Sequence, residues 1–155
     1  MSLKMTLDER ESFLADVHVG IISIEDRGRG PLAAPIWYAY EPGETVAIVT
    51  EKESLKGHLL QRVERFSLCA QTEQPPYKYV SVEGPILSIE PADVERDIRP
   101  LAHRYLGAQL GDGYIEATGG ADPRAGSIVV HMRPERWLTT DYAKEFSVES
   151  RAGDD

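Results

Sequence analysis

Thr50, Ser54 and Lys56 stand close together in this chain, and two hydroxyls with an ammonium are groups that can seat a phosphate. They close the run Thr45-Val46-Ala47-Ile48-Val49-Thr50, which reads as a buried strand because β-branched residues suit a pleated surface. They lead into a short helix whose apolar stripe is Leu55, Leu59, Val63 and Phe66. The start of a helix carries unpaired N–H groups and a partial positive charge, which favours an anion. A plainer reading makes Ser54 an N-cap and Lys56 a solvated side chain. The segment alone leaves both readings open.

Other familiar chemistry is missing from the sequence. His18, His58, His103 and His131 are scattered and form no HxxxH or HExxH pair, so no metal site is expected. No GxSxG elbow and no Walker loop occur. Gly28-Arg29-Gly30 resembles a phosphate loop only superficially, because no helix pattern follows it; a hairpin tip is expected there. Cys69, the single cysteine, excludes an internal disulfide and a thiolate zinc cluster; its apolar strand predicts an inert thiol. With no evident nucleophile and base, a cofactor would have to carry any chemistry.

A chain of 155 residues is long enough for one domain with a sizeable core. The expected domain is 6–142, followed by a polar tail, 143–155. No apolar run approaches the ~20 residues of a membrane span, and no signal-peptide pattern opens the sequence. Together with the single cysteine, this predicts a cytoplasmic protein. A net charge of −9 argues against nucleic acid as the main partner.

The positioning elements read as a meander. Thr6-Leu7-Asp8-Glu9 is a capping box before a short amphipathic helix with Phe13, Leu14 and Val17. A strand over His18 to Ile24 is expected to bury Val19 and Ile21. Leu32 to Tyr40 is its return, where Pro35 marks an edge, a bulge or a ligand contact. Trp37, Tyr38 and Tyr40 suit core or dimer packing. Tyr77 to Gly84 alternates, with Tyr77, Tyr79, Ser81 and Glu83 on one face that is either surface or the lining of a wet site. Its continuation, Pro85 to Glu90, follows an expected bulge at Gly84-Pro85. Pro91 should open a second helix with the stripe Val94, Ile98, Leu101 and Tyr105, broken or kinked at Pro100. The glycine-rich stretch Gly107 to Arg124 predicts a loop with a short helical piece, a lid or a dimer arm. Ser127 to Met132 is a last buried strand, and Arg136 to Thr139 is extended. Ser147 to Asp155 is polar and expected to fray.

In order and spacing, Pro35-Ile36-Trp37-Tyr38, Thr50, Ser54, Lys56, Arg62, Phe66 to Cys69, Pro76 to Gly84 and Arg136-Trp137 resemble the pyridoxamine 5′-phosphate oxidase-like family of flavin and deazaflavin binders. The resemblance spans Thr6 to Thr140. It implies a mainly β fold with flanking helices, a six-stranded split β-barrel, assembled as a homodimer with cofactor sites at the interface. It implies FMN as cofactor, with coenzyme F-420 as the alternative, and hydride or electron transfer to a small-molecule substrate. The phosphate would sit near Thr50, Ser54 and Lys56, and the ring against the backbone of Pro35, Ile36 and Trp37. Tyr79 and Ser81 would lie on the phosphate or ribityl side, and Trp137 would reach in from the neighbouring subunit. Glu51 and Glu53 depart from the more basic pattern of true pyridoxamine-phosphate oxidases and point away from vitamin B6 oxidation. A non-catalytic flavin binder remains an alternative, as does a haem binder with His58 or His131 as ligand.

Overall fold

The structure is a computed structural model and describes residues 2–118 and 126–145. The expected capping box forms at the start of helix α1 (Leu7–Ala15): the Thr6 hydroxyl accepts from the Glu9 amide at 3.2 Å, and the Glu9 carboxylate accepts from the Thr6 amide at 2.9 Å. Phe13 and Leu14 of this helix are buried, whereas Val17 beyond it is exposed.

Eight strand segments follow: β1 (Gly20–Ile24), β2 (Leu32–Ile36), β3 (Tyr38–Ala39), β4 (Val46–Glu51), β5 (Arg65–Gln71), β6 (Lys78–Pro91), β7 (Ser127–Met132) and β8 (Arg136–Asp141). Their order in the sheet is β2-β1-β5-β6-β7-β4-β3, with β8 paired to β6, and the paired strands are antiparallel. The path begins and ends on β2 and β3, consecutive pieces of one stretch bent at Trp37. The sheet therefore curls back on itself, the arrangement of a split barrel.

The count corrects the six strands expected. One added segment arises because the return strand breaks at Trp37. The other is β8, which pairs with Lys78 to Glu83 along the edge of β6. The ladder irregularity in β6 falls between Ile86 and Ser88, two residues past the expected position. Gly84 has a different duty: the connection from β7 to β8 crosses it so closely that a Cβ there would overlap the Arg133 carbonyl.

Ile22, Ile24, Tyr38, Ile48, Leu68, Val80, Val82, Val130 and Met132 fill the interior, and α1 and helix α2 (Leu55–Leu60) add Leu14 and Leu60. The faces of one strand depart from expectation. In β1 it is Gly20, Ile22 and Ile24 that point inward, while Val19 and Ile21 face out. That strand carries apolar or small residues on both faces, so type alone does not reveal its register. In β6 the two faces divide as expected, with Val80, Val82 and Gly84 inward and Tyr79 and Ser81 on the outer face.

The largest departure follows β6. Pro91 ends the strand, and Asp93, not Pro91, caps the next helix by accepting from the Arg96 amide at 2.8 Å. A π-helical turn (Val94–Ile98) runs into α3 (Arg99–Ala117), with Pro100 in its first turn where a missing N–H costs nothing. The break falls at Gly107, whose φ of +80° a glycine adopts without strain. Arg99 and Asp112 would lie about 20 Å apart along one straight helix at 1.5 Å per residue. Their side chains instead meet at 2.6 Å. Thus α3 is a helical hairpin, and most of the stretch expected as a loop is its second arm; 119–124 fall outside the described residues. Gly111 allows the arms to touch, since a Cβ there would come within 2.7 Å of the His103 ring.

Of the expected polar tail, only 143–145 are described. Lys144 ties that start back to α1 through Glu9 at 2.9 Å. The segment 147–155 lies outside the described residues. Among the described residues no helix is long and apolar enough to cross a membrane.

Candidate functional site

Where β2 gives way to β3, Trp37 has no partner in the ladders on either side. A cleft of about 360 Å³ opens at this joint. Pro35, Ile36, Trp37 and Val19 line one side, and Thr50, Glu51, Lys56 and Ser127 line the next. Ile98, Leu101, Ala102 and Tyr114 of the π-turn and α3 roof it. The volume suits a small-molecule site.

The base of the cleft is built by close backbone approach. Gly57, in the first turn of α2, packs against the turn that leaves β4, and a Cβ there would overlap the carbonyls of Glu51 and Lys52. The Ser54 hydroxyl accepts from the Gly57 amide at 3.0 Å and donates to the Glu51 carbonyl at 2.7 Å. Ser54 is thus the N-cap of the plainer reading, fully engaged within the turn. It touches the cleft indirectly, with its oxygen 3.3 Å from the hydroxyl of Thr50, which is only 8% exposed. Since α2 spans six residues, Lys56 rather than a helix terminus supplies the positive charge. Glu51 stands beside it as a counterweight.

Aromatic stacking fixes the roof to the strand joint. The Trp37 and Tyr105 rings are 4.9 Å apart and within 6° of parallel, and Tyr114 tilts onto Trp37 at 5.9 Å. The Tyr105 hydroxyl donates to the His18 carbonyl at 2.6 Å and accepts from the Tyr38 amide at 3.1 Å. Arg104 donates to the carbonyls of Ala15 and Asp16 at the end of α1. Burial pushes the Tyr38 phenol up and holds the His18 ring below its ordinary value, so His18 is neutral near pH 7.

Five residues singled out in the sequence, Pro35, Ile36, Trp37, Thr50 and Lys56, meet in this cleft, with Ser54 immediately behind. The others lie elsewhere in the chain. Tyr79 and Ser81 sit on the outer surface of β6, opposite Thr140 and Leu138 of β8. Trp137 packs edge-on against Tyr40 at 6.3 Å and lies under the Arg10 guanidinium at 4.5 Å. His131 shares a 2.8 Å hydrogen bond with Thr45, and His58 lies 3.5 Å from Glu53. His103, expected as a simply exposed helix residue, joins Asp112 at 2.6 Å. Sequence reasoning missed the roof residues Ala102 and Tyr114. The glycine at 107 and the Glu95-to-Arg99 spacing of a helical ion pair were the signals that could have found the hairpin.

A larger depression, about 730 Å³, lies between the β1–β2 turn and the start of β5. Its charges are mixed, Glu25, Asp26 and Glu64 against Arg27, Arg62 and Arg65, and no aromatic ring lines it. The smaller cleft is the better candidate because it combines an aromatic platform, a buried hydroxyl and a lysine.

No protein-family model and no curated protein matches the sequence. Solved structures do. A conserved hypothetical protein from Mycobacterium tuberculosis superposes with a TM-score of 0.72 at 21% identity, covering 92% of this chain and 88% of that one. An F420 reductase superposes at 0.60 and 16% identity over 83% of this chain and 94% of its own. A candidate pyridoxamine 5′-phosphate oxidase from Listeria innocua reaches 0.61 at 14% identity, covering 86% and 96%. These likenesses define the fold: the chain is a split barrel, as these structures are.

Proposed function

We propose that the cleft at the β2–β3 joint binds a flavin-type cofactor, FMN in the first instance, and that the protein is an oxidoreductase acting on a small molecule. The observation that carries this reading is the convergence of Pro35, Ile36, Trp37, Thr50 and Lys56 in one cleft on a split-barrel fold. The groups fit: the backbone at Trp37, outside both ladders, can offer hydrogen bonds to a ring edge, the Thr50 hydroxyl is buried in the same cleft, and Lys56 can pair with a phosphate. A bound flavin would supply hydride or electron transfer. The protein's part is to position the ring against Pro35 to Trp37, hold the phosphate with Lys56, and keep water off one face with Leu101 and Ala102. A homodimer fits the same reading, since Tyr79 and Ser81 face outward where a second copy can meet them. Coenzyme F-420 is the second reading, favoured by the superposition on an F420 reductase. Glu51 beside Lys56 weighs against its acidic tail.

Titration with FMN and then with coenzyme F-420, followed by flavin fluorescence, tests the proposal. One cofactor should saturate the protein at one molecule per chain. Lys56→Ala should weaken that binding by about 1–3 kcal/mol, the range for a lost charge-assisted hydrogen bond. Binding of neither cofactor, or an unchanged titration in the variant, would overturn the assignment.

A further inference from the structure

A second cleft, about 340 Å³, lies on the side of the molecule where α1 meets β8. Among the described residues it holds a cation with no anionic partner. The Arg10 guanidinium covers the Trp137 ring at 4.5 Å, and its Nε is buried with no hydrogen-bond acceptor. No ion pair or hydrogen bond of the described residues reaches this guanidinium. An arginine stays charged at any ordinary pH, and a buried donor without an acceptor is unfavourable. The buried Nε is out of reach of solvent, so the cleft presents the two terminal nitrogens of the guanidinium to a ligand. Trp137, Tyr40 and Leu87 give the cleft an apolar wall.

We propose that this cleft binds a monocarboxylate with a flat apolar body. The carboxylate pairs with Arg10 through the fork geometry that suits a guanidinium, and the body lies along Trp137 and Leu87. The remaining lining sets the charge it accepts. Arg133 is engaged by Glu135 at 3.7 Å, and Glu11 and Glu44 border the same space. Two carboxylates at the border tolerate a ligand with one negative charge and repel one with two, so phosphate is rejected. The site shares no residue with the cleft at the β2–β3 joint of the same chain.

The chain contains two tryptophans, Trp37 and Trp137, one in each cleft. Fluorine NMR of the full chain labelled with 5-fluorotryptophan therefore gives one resonance per cleft, assigned with Trp37→Phe. Benzoate should shift the Trp137 resonance saturably and leave that of Trp37 in place. Benzamide, its neutral counterpart, and inorganic phosphate should leave the Trp137 resonance in place. Arg10→Gln should weaken benzoate at least tenfold, and Arg10→Lys, which keeps the charge and loses the fork, should fall between. Any of three results would overturn the site: no saturable shift, equal binding by benzamide or phosphate, or full affinity in folded Arg10→Gln. A Trp137 shift produced by raising the protein concentration alone would assign the surface to a second copy and overturn it as well.

Discussion

The two sides of the β2–β3 cleft are held by different forces. The strand side is backbone: β4 is paired to β3 and β7 along its length, and the turn beyond it is locked by Gly57 and Ser54. The roof is side chain: Tyr105 bridges to His18 and Tyr38, and Arg99 and His103 meet Asp112 across the two arms of α3. Ladders and close packing resist salt and pH. Exposed ion pairs are weak and yield to both. The lesson is a division of labour, with a rigid side that sets the shape of the site and a roof that can loosen without the barrel coming apart.

The strongest challenge to that contrast is Gly57→Ala. Helix propensity alone would favour alanine by about 1 kcal/mol. The overlap with two carbonyls should reverse the sign and cost about 3 kcal/mol of global stability, measured by urea unfolding. A neutral or stabilised variant would show that the strand side is not locked by this contact.

Tyr105→Phe comes next. It removes a donor to the His18 carbonyl and the acceptor of the Tyr38 amide, a loss of about 1–3 kcal/mol. Hydrogen exchange should rise across α3 and remain low in β4 and β7. Equal loss of protection in both would merge the two sides into one cooperative unit.

The smallest effect is a titration. The hydrogen bond from His103, followed by that from Arg99, holds the Asp112 carboxyl below its usual range. A carboxyl lowered in the folded state contributes stability above its unfolded pKa and loses it as pH falls through the folded one. Exchange in α3 should therefore quicken below about pH 4, ahead of the barrel, and added salt should act in the same direction. Asp112→Asn should remove the pH step in α3. A step of the same size in the variant would assign it to other carboxylates.

The same division explains what the sequence disclosed. The strand side was legible because it is local: the Val46 to Val49 run, the cap at Ser54 and the proline at 35 each announce themselves within a few residues. The capping box at Thr6 was legible for the same reason. The roof was not, because Pro100 and five glycines between Gly107 and Gly120 read as a broken helix and a loop. What keeps a helix there is a tertiary event, the folding back of Asp112 onto Arg99 and His103. The strand faces of β1 failed differently. Val19 and Ile21 are apolar yet outward, and the register is set by neighbouring strands. Trp137 entered the expected site only through resemblance, and the structure places it under Arg10 of the same chain.

The bend at Trp37 also bears on the order of assembly. β1 with β2 and β3 with β4 are hairpins of low contact order, so each can form early from nearby residues. They are also the two ends of the sheet, held together in one stretch of chain before the middle exists. Bringing β5, β6 and β7 between them closes the circuit, and that step carries the long-range pairing and its entropy cost. Lys56 and Thr50 face Leu101 only once the circuit is closed. Capture of a ligand at this joint is therefore a clock for the last event in folding.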